Sequence, residues 1–319
     1  MSGTSDRHST VLVTGAAGFI GSALCARLRS TSRQVVGYDN LSRGRRDFLP
    51  EGVHLVEGDI RDAARVQDTV AAFTPECVVH LAAMHFIPDC IARPQETMDV
   101  NVAGTRHVLD SCRGSSVRSV VFASSAAVYA PSEGPCLEDA TPLGPLEVYG
   151  ESKLAAEQLA RTFHEQTGVA TGILRFFNAI GRNETNPHVV PHIFESLQTS
   201  DVIQLGNMAP RRDYIDTRDV AEAIVAVADG AQGMNVFNVG TGVAWSVKDI
   251  VQLLGRILGR TIRVVEEPSR VRATERMVLV ADIERIRRAT AWTPRILLQD
   301  SLKDLVTPYG LQAAPSSSV

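Results

Sequence analysis

Residues 11–22 read Val-Leu-Val-Thr-Gly-Ala-Ala-Gly-Phe-Ile-Gly-Ser, and no other stretch restricts the possible folds as strongly. A β-branched, apolar run ends in glycines at positions 15, 18 and 21. An alanine-rich helix pattern comes next, with apolar positions at Phe19, Ile20, Ala23, Leu24 and Leu28. The expected order is strand, tight turn, helix. Gly15 permits the sharp turn, Gly18 lets backbone approach a diphosphate, and Gly21 lets the helix pack close to the strand. The helix N-terminus then offers unpaired N–H groups and a positive dipole end to phosphate oxygens. The spacing is Gly-x-x-Gly-x-x-Gly rather than the commoner Gly-x-Gly-x-x-Gly, and three glycines also fit a plain strand-to-helix turn. The decision between the two therefore rests on residues C-terminal to this turn.

Short apolar runs alternate with helical patterns. Residues 34–38, 53–56, 77–81, 119–123, 171–177 and 235–239 read as further strands. Residues 63–73, 96–111 and 149–166 read as helices. Near-continuous apolar strands separated by helices imply an α/β fold, a Rossmann-type doubly wound parallel sheet covered on both faces. Residues 1–177 form the expected dinucleotide-binding domain, with roughly 217–240 returning to its sheet. Residues 178–319, irregular and rich in Asn, Pro and Arg, form mainly a smaller C-terminal substrate-binding lobe, with a loose tail from about 312. Residues 1–10 are polar, lack a hydrophobic signal core and read as a second loose tail.

The net charge of −4 and pI near 6.1 create no basic field, so nucleic acid is not an expected partner. No apolar stretch reaches membrane-spanning length. The five cysteines form no Cys-x-x-Cys pair, their number is odd, and reduced thiols in a cytoplasmic protein fit them best. Cys25, Cys77 and Cys112 lie in apolar contexts and read as core. No metal site is expected.

Asp39 ends the second strand, eighteen residues after Gly21. An acid there accepts hydrogen bonds from the adenosine ribose hydroxyls and repels an added phosphate, which favours NAD over NADP. Arg43, Arg45 and Arg46 blur that preference, because a nearby arginine accommodates a 2′-phosphate. Asp59, after the third strand, is placed near the adenine edge. His80-Leu81-Ala82-Ala83 ends the fourth strand, its small residues leaving room for a cofactor, and His80 reads as structural. Asn101, within a helical pattern, is expected to bond to a neighbouring strand end. Ser124 and Ser125 bring hydroxyls to the same mouth.

Tyr149-Gly150-Glu151-Ser152-Lys153 carries the chemistry. Residues four apart share a helix face, so Tyr149 and Lys153 point together. A free phenol, with a pKa of about 10, is a poor base near neutrality. A nearby ammonium and the positive nicotinamide of an oxidised cofactor both favour phenolate, which then takes a hydroxyl proton as hydride leaves the same carbon. Ser125 is placed to orient that hydroxyl.

From about Thr10 to Leu305 the chain resembles the extended short-chain dehydrogenase/reductase family, and within it the nucleotide-sugar epimerases of the UDP-glucose (UDP-galactose) 4-epimerase type. The resemblance rests on TGAAGFIGS, Asp39-Asn40-Leu41, Gly58-Asp59-Ile60, HLAA, SSAAVY, YGESK, Arg175-Phe176-Phe177-Asn178, Arg212-Asp213-Tyr214-Ile215 and Phe237-Asn238-Val239-Gly240. It implies tightly held NAD, with Gly15, Gly18, Phe19 and Ile20 at the diphosphate turn. Asp39, Asn40, Asp59 and Ile60 lie at the adenosine end, and Leu81, Ala82 and Ala83 run along the strand ends. Tyr149 and Lys153 belong to the same set, and Ser125, Tyr149 and Lys153 are the implied catalytic residues. Tyr149 deprotonates the sugar 4-hydroxyl, the 4-keto sugar swings about its diphosphate, and hydride returns to the other face. Asn178, Arg212 and Arg272 are implied at the substrate diphosphate. Val189, with His188 and Val190, lines the nucleotide pocket. Gln204 and Leu205 lie near the base, and Glu275 near the nucleotide ribose. A homodimer through the helices of residues 96–111 and 149–166 is also implied.

Related dehydratases place Asp-Glu after the serine or threonine of the fifth strand. Here those positions are Ala126 and Ala127, so simple epimerisation is expected. Residues 84–90, Met-His-Phe-Ile-Pro-Asp-Cys, depart from the family's small, polar segment, and Leu279 leaves the tolerated C2 group open. Trp245 and Trp292 read as core. Two other readings remain open on the sequence alone: a nucleotide-sugar reductase or dehydrogenase with exchangeable NAD(P)H, and a non-catalytic NAD-binding sensor.

Overall fold

The protein is described by a computed structural model covering residues 9–267 and 276–314. The ends of the two expected tails, together with Arg272 and Glu275, lie outside the described residues. The first half runs β1 (Thr10–Thr14), α1 (Phe19–Arg29), β2 (Gln34–Asp39), β3 (His54–Glu57), α2 (Ala63–Phe73) and β4 (Cys77–His80). It continues through α3 (Ile87–Ala92), α4 (Pro94–Met98), α5 (Thr105–Ser111), β5 (Ser119–Ser125), α6 (Val148–Thr167) and β6 (Ala170–Phe176). The expected helix over 96–111 is α4 and α5 joined by a π-helical turn, Asp99–Gly104.

The second half comprises β7 (Asn178–Ile180), α7 (Val189–Leu197), β8 (Val202–Leu205), β9 (Arg211–Asp216), α8 (Thr217–Gly230) and β10 (Met234–Val239). After these come β11 (Ala244–Ser246), α9 (Val247–Leu258), β12 (Arg263–Glu266), β13 (Val278–Leu279), α10 (Glu284–Thr290) and α11 (Leu298–Val306).

Seven strands form one parallel sheet in the order β10-β6-β5-β4-β1-β2-β3. Its interior strands are buried on both faces, which is why they read as apolar runs. On one face Leu24 and Leu28 of α1 pack with Ala223 and Ile224 of α8. On the other, Val66 and Val70 of α2 join Val108 of α5 and Phe163 of α6. The order reverses beside β1, where β2 lies on one side and β4 on the other. This is the crevice that receives ligands in open parallel sheets.

A second sheet, β11-β9-β13 with β7 also on β9, lies among the elements of the second half, and β8 pairs with β12. Its short strands are pinned by one buried carboxylate. Asp213 accepts from Thr241 N (2.7 Å), Thr241 Oγ1 (2.6 Å), Gly242 N (2.9 Å) and Ala281 N (3.1 Å). Ile193, Phe194, Ile250, Leu254, Leu302 and Leu305 fill the core beneath. Among the described residues no helix is long and apolar enough to cross a membrane.

His80, at the end of β4, is fully enclosed, with Nδ1 2.6 Å from Thr14 Oγ1 and Nε2 2.9 Å from Thr105 Oγ1. Burial, with the Lys153 charge, pushes its pKa down from 6.5 to about 3. The unfolded chain therefore binds a proton that the folded chain refuses between those values, and stability falls as pH drops below about 6.5. From pH 7 to pH 5 this one group removes about 2 kcal/mol. Urea unfolding of the parent and His80→Gln at both values checks this: the variant is weaker at pH 7 but lacks that share of the acid-induced loss.

Candidate active site

The carboxyl ends of the central strands open into a cleft of about 1680 Å³. The glycine turn forms its floor at one end. Gly15 has φ +70°, donates its N–H to Tyr38 O (2.8 Å), and would place a Cβ 2.8 Å from Ala82 N. A Cβ on Gly21 would meet Gly15 O at 2.0 Å. The turn and α1 are thus drawn against β4 as a diphosphate site requires, and Gly18, Phe19 and Ile20 line the cleft at the helix N-terminus.

Asp39 stands at the end of β2, buried, its carboxylate oxygens accepting from Ala17 N (2.9 Å) and Leu41 N (2.8 Å). Burial raises its pKa while those backbone bonds oppose the rise. Each oxygen keeps a lone pair for a ribose hydroxyl. The arginines that could have held a 2′-phosphate are already paired, Arg43 with Asp89, Arg45 with Asp47 at 2.7 Å, and Arg46 with Glu57 at 3.1 Å. Asn40 and Asp59 meet at the same end, where Asn40 Nδ2 donates to Asp59 Oδ2 (2.9 Å) and Arg61 forks onto the carboxylate. The Arg61 bonds lead in holding Asp59 down at about 2. Ile60, Leu81, Ala82 and Ala83 complete this wall. A cradle that any side chain would fill, a ribose acceptor and occupied arginines together fit NAD.

At the other end Ser125, Tyr149 and Lys153 face the cleft. Ser125 Oγ accepts from Ala127 N (3.1 Å) as β5 ends, which aims the hydroxyl. Tyr149 and Lys153 lie one turn apart on α6, and Lys153 Nζ donates to Ala123 O (2.8 Å) with its charge 5.1 Å from the Phe122 ring centre. Burial lowers the Lys153 pKa to about 8. Tyr149 differs from expectation. Burial pushes the phenol up to about 12, and the Ser125 hydrogen bond only partly opposes this. The Lys153 ammonium uses one donor on a backbone carbonyl and keeps two, and the oxidised nicotinamide of that expectation comes only with bound cofactor.

Asn178, Val189 and Arg212 also line the cleft. Gln204 does not, because β8 alternates and turns it to solvent while Leu205 faces inward. Ala126 and Ala127 are buried in the turn after Ser125, so neither position offers an acid.

Asn101, expected to bond near a neighbouring strand end, lies in the π-helical turn, donates to Met84 O (2.9 Å) and Ser152 Oγ (2.9 Å) and accepts from Met84 N (2.8 Å), tying the loop after β4 to α6. Two other features escaped the sequence. Arg276 reaches into the cleft wall and donates to Ala127 O (3.0 Å) and Tyr129 O (2.9 Å). Behind Ser125, Tyr149 and Lys153 lies a buried ionic network. Arg175 forks onto Glu157 (2.9 and 2.7 Å), Ser124 Oγ donates to Glu157 Oε1 (2.6 Å), and Arg175 Nη1 donates to Tyr129 Oη (3.0 Å). A glutamate on the inner face of α6 and an arginine inside an apolar strand were the available signals.

Residues 11–240 match the NAD dependent epimerase/dehydratase family. The UDP-glucose 4-epimerase of Corynebacterium glutamicum is 32% identical over 302 residues, 89% of this chain and 90% of that protein. The crystal structure of the Brucella ovis UDP-glucose 4-epimerase in complex with NAD has TM-score 0.88 at 30% identity, over 96% of this chain and 100% of that one. That of the Thermotoga maritima enzyme with UDP-glucose has TM-score 0.87 at 26% identity, over 92% and 96%. The likeness extends over both halves of the fold, and the matched segment carries the glycine cradle, Asp39 and the Ser125, Tyr149 and Lys153 set: the chain belongs to the NAD dependent epimerase/dehydratase family.

Proposed function

We propose that this protein is an NAD-dependent UDP-sugar 4-epimerase that inverts C4 of a UDP-hexose, with Tyr149 as its acid and base. The observation that carries this reading is the meeting of Ser125, Tyr149 and Lys153 at one end of a cleft whose other end is shaped for NAD. Alanines stand where dehydration would need acids. Bound NAD supplies the hydride acceptor and, when oxidised, a positive ring that favours the phenolate. Ser125 Oγ orients the sugar hydroxyl, and Tyr149 Oη takes its proton and later returns it. Lys153 uses one donor on Ala123 and keeps two for the nicotinamide ribose. Asn178, Val189 and Arg212 are the proposed substrate contacts on the cleft wall, with Arg272 and Glu275 completing the set outside the described residues. Residues 178–319 serve mainly as the lobe that presents this wall.

The protein as purified, given UDP-glucose and no added cofactor, is expected to yield UDP-galactose by NMR and to carry NAD in its absorbance spectrum. Turnover only with stoichiometric oxidation of added NAD(P)H would replace this reading by a reductase. NAD binding without turnover on a panel of UDP-, dTDP- and GDP-sugars would replace it by a sensor.

All five cysteines are free thiols, which supports a cytoplasmic site. A homodimer through the helices of residues 96–111 and 149–166 goes with the same reading. A solution mass equal to the 34.4 kDa of one chain would refute it.

A further inference from the structure

The loop after β4 and the segment before α7 meet across the cleft, beside the expected nucleotide pocket, in a cluster that takes no part in the proposed proton and hydride transfer. His85, Glu184 and His188 bring one ligand atom each to within 4.8 Å of one another. Glu184 Oε2 lies 3.8 Å from His188 Nε2, and the Glu184 side chain is almost fully enclosed, at 7% exposure. The two imidazole rings stack at 6.0 Å, and Phe86 closes one side with its ring 5.3 Å from that of His188. Between them sits Asn186, 3% exposed. Its Nδ2 donates to His85 Nε2 (3.0 Å) and Glu184 Oε1 (3.2 Å), two lone pairs that converge on the same space. Its Oδ1 is buried without any hydrogen-bond partner.

We propose that His85, Glu184 and His188 form a site for a divalent transition-metal ion of the zinc class, with Asn186 turning to offer Oδ1 as a fourth ligand. Two imidazoles and one carboxylate are a donor set that suits zinc and its neighbours, whereas magnesium and calcium prefer all-oxygen sites. Tetrahedral bonds of about 2.0–2.1 Å put neighbouring ligand atoms on the order of 3.4 Å apart. The present spacings therefore need only side-chain rotation, which the 41%-exposed His188 side chain has room for. Turning the carboxamide about its last bond exchanges Nδ2 with Oδ1. It thereby swaps a donor that caps two lone pairs for a third lone pair, and provides the buried oxygen with a partner. An ion held here ties residue 85, beside the central sheet, to residues 184 and 188 at the entrance to α7, and so restrains the cleft. The Lys153 ammonium, close enough for its charge to act on His85, opposes the ion and weakens its binding. The sequence signals the site only weakly: Glu184 and His188 stand four residues apart, but His85 lies about a hundred residues earlier and joins them only in the fold.

The test is direct binding to the purified, NAD-containing protein after chelator treatment. Calorimetric titration with Zn²⁺ is expected to show one ion per chain and a raised melting temperature. Co²⁺ is expected to give visible d–d bands without the near-ultraviolet band of a thiolate ligand, which excludes the five cysteines. His188→Gln and Glu184→Gln each weaken binding by roughly 10- to 100-fold or more. Asn186→Asp, which keeps the shape and adds a charge, strengthens it. Absence of stoichiometric binding, unchanged affinity in both His188→Gln and Glu184→Gln, or a thiolate band overturns the proposal. None of these readouts depends on epimerase activity.

Discussion

Tyr149→Phe lowers kcat by on the order of 10²–10⁴-fold, the share that a positioned acid and base contributes, and leaves NAD bound. The substitution removes one oxygen and nothing else. The ring still fills its place on α6, Lys153 Nζ keeps its bond to Ala123 O, and the glycine cradle and Asp39 lie at the other end of the cleft. Loss of the phenol therefore affects proton transfer without affecting cofactor retention. Two measurements on the same sample separate these effects: NAD content by absorbance after denaturation, and C4 inversion by NMR. An active Tyr149→Phe enzyme would move the base elsewhere, and a variant that had lost NAD would make Tyr149 a cofactor contact first. Ser125→Ala is the milder companion, since it leaves the base in place and removes only a hydrogen bond to the reacting hydroxyl.

The phenol also marks the boundary of what the sequence could convey. That Tyr149 and Lys153 share a face follows from helix period alone. How far Lys153 acts on the phenol does not, because one of the ammonium's partners, the Ala123 carbonyl, comes from β5, remote from α6 in sequence. The seven central strands are legible for a similar reason of period and burial: strands enclosed on both faces admit little but apolar residues. The third strand, which ends the sheet, starts one residue later than its pattern suggests, since its two half-buried residues lie between two exposed ones and give no alternation to fix the start. Residues 96–111 are legible as helix, but hydrophobic spacing does not distinguish the π-helical turn at Asp99–Gly104, which is defined by its backbone bonds. The second sheet is hardly visible in the sequence at all. Its strands β7, β11 and β13 are two or three residues long, too short for a side-chain pattern, and the chain next to β11 and β13 is held by the four bonds to Asp213. Of the two residues expected near the base, Gln204 and Leu205, the β8 alternation turns the first to solvent and the second inward, a register that no sequence pattern indicated.

The largest stability effect is expected from a residue outside the cleft wall. Glu157 is 1% exposed and its carboxylate binds both arms of Arg175, itself 1% exposed, while also accepting from Ser124 Oγ. Glu157→Ala leaves a guanidinium in the interior with only Tyr129 Oη and Glu138 O as partners, and costs about 3–5 kcal/mol. The midpoint of urea unfolding is expected to fall accordingly. Glu222→Gln, which breaks the surface pair with Arg27, is expected to leave that midpoint unchanged within error, because the carboxylate's side chain is 47% exposed and water replaces the arginine. The double variant Glu157→Met with Arg175→Met distinguishes an attractive pair from a mere penalty of separation. If the loss in each single variant, Glu157→Met or Arg175→Met, is that of stranding the other charge, removing both restores most of the stability, and the coupling energy of the cycle approaches the summed losses of the two single variants. The network also underlies the reacting residues, since Ser124 precedes Ser125 and Glu157 follows Lys153 by one turn of α6. The double variant, though stable, is then expected to retain NAD and to lose part of kcat with little change in KM. Full activity in that stable variant would reduce the network to a support of the fold.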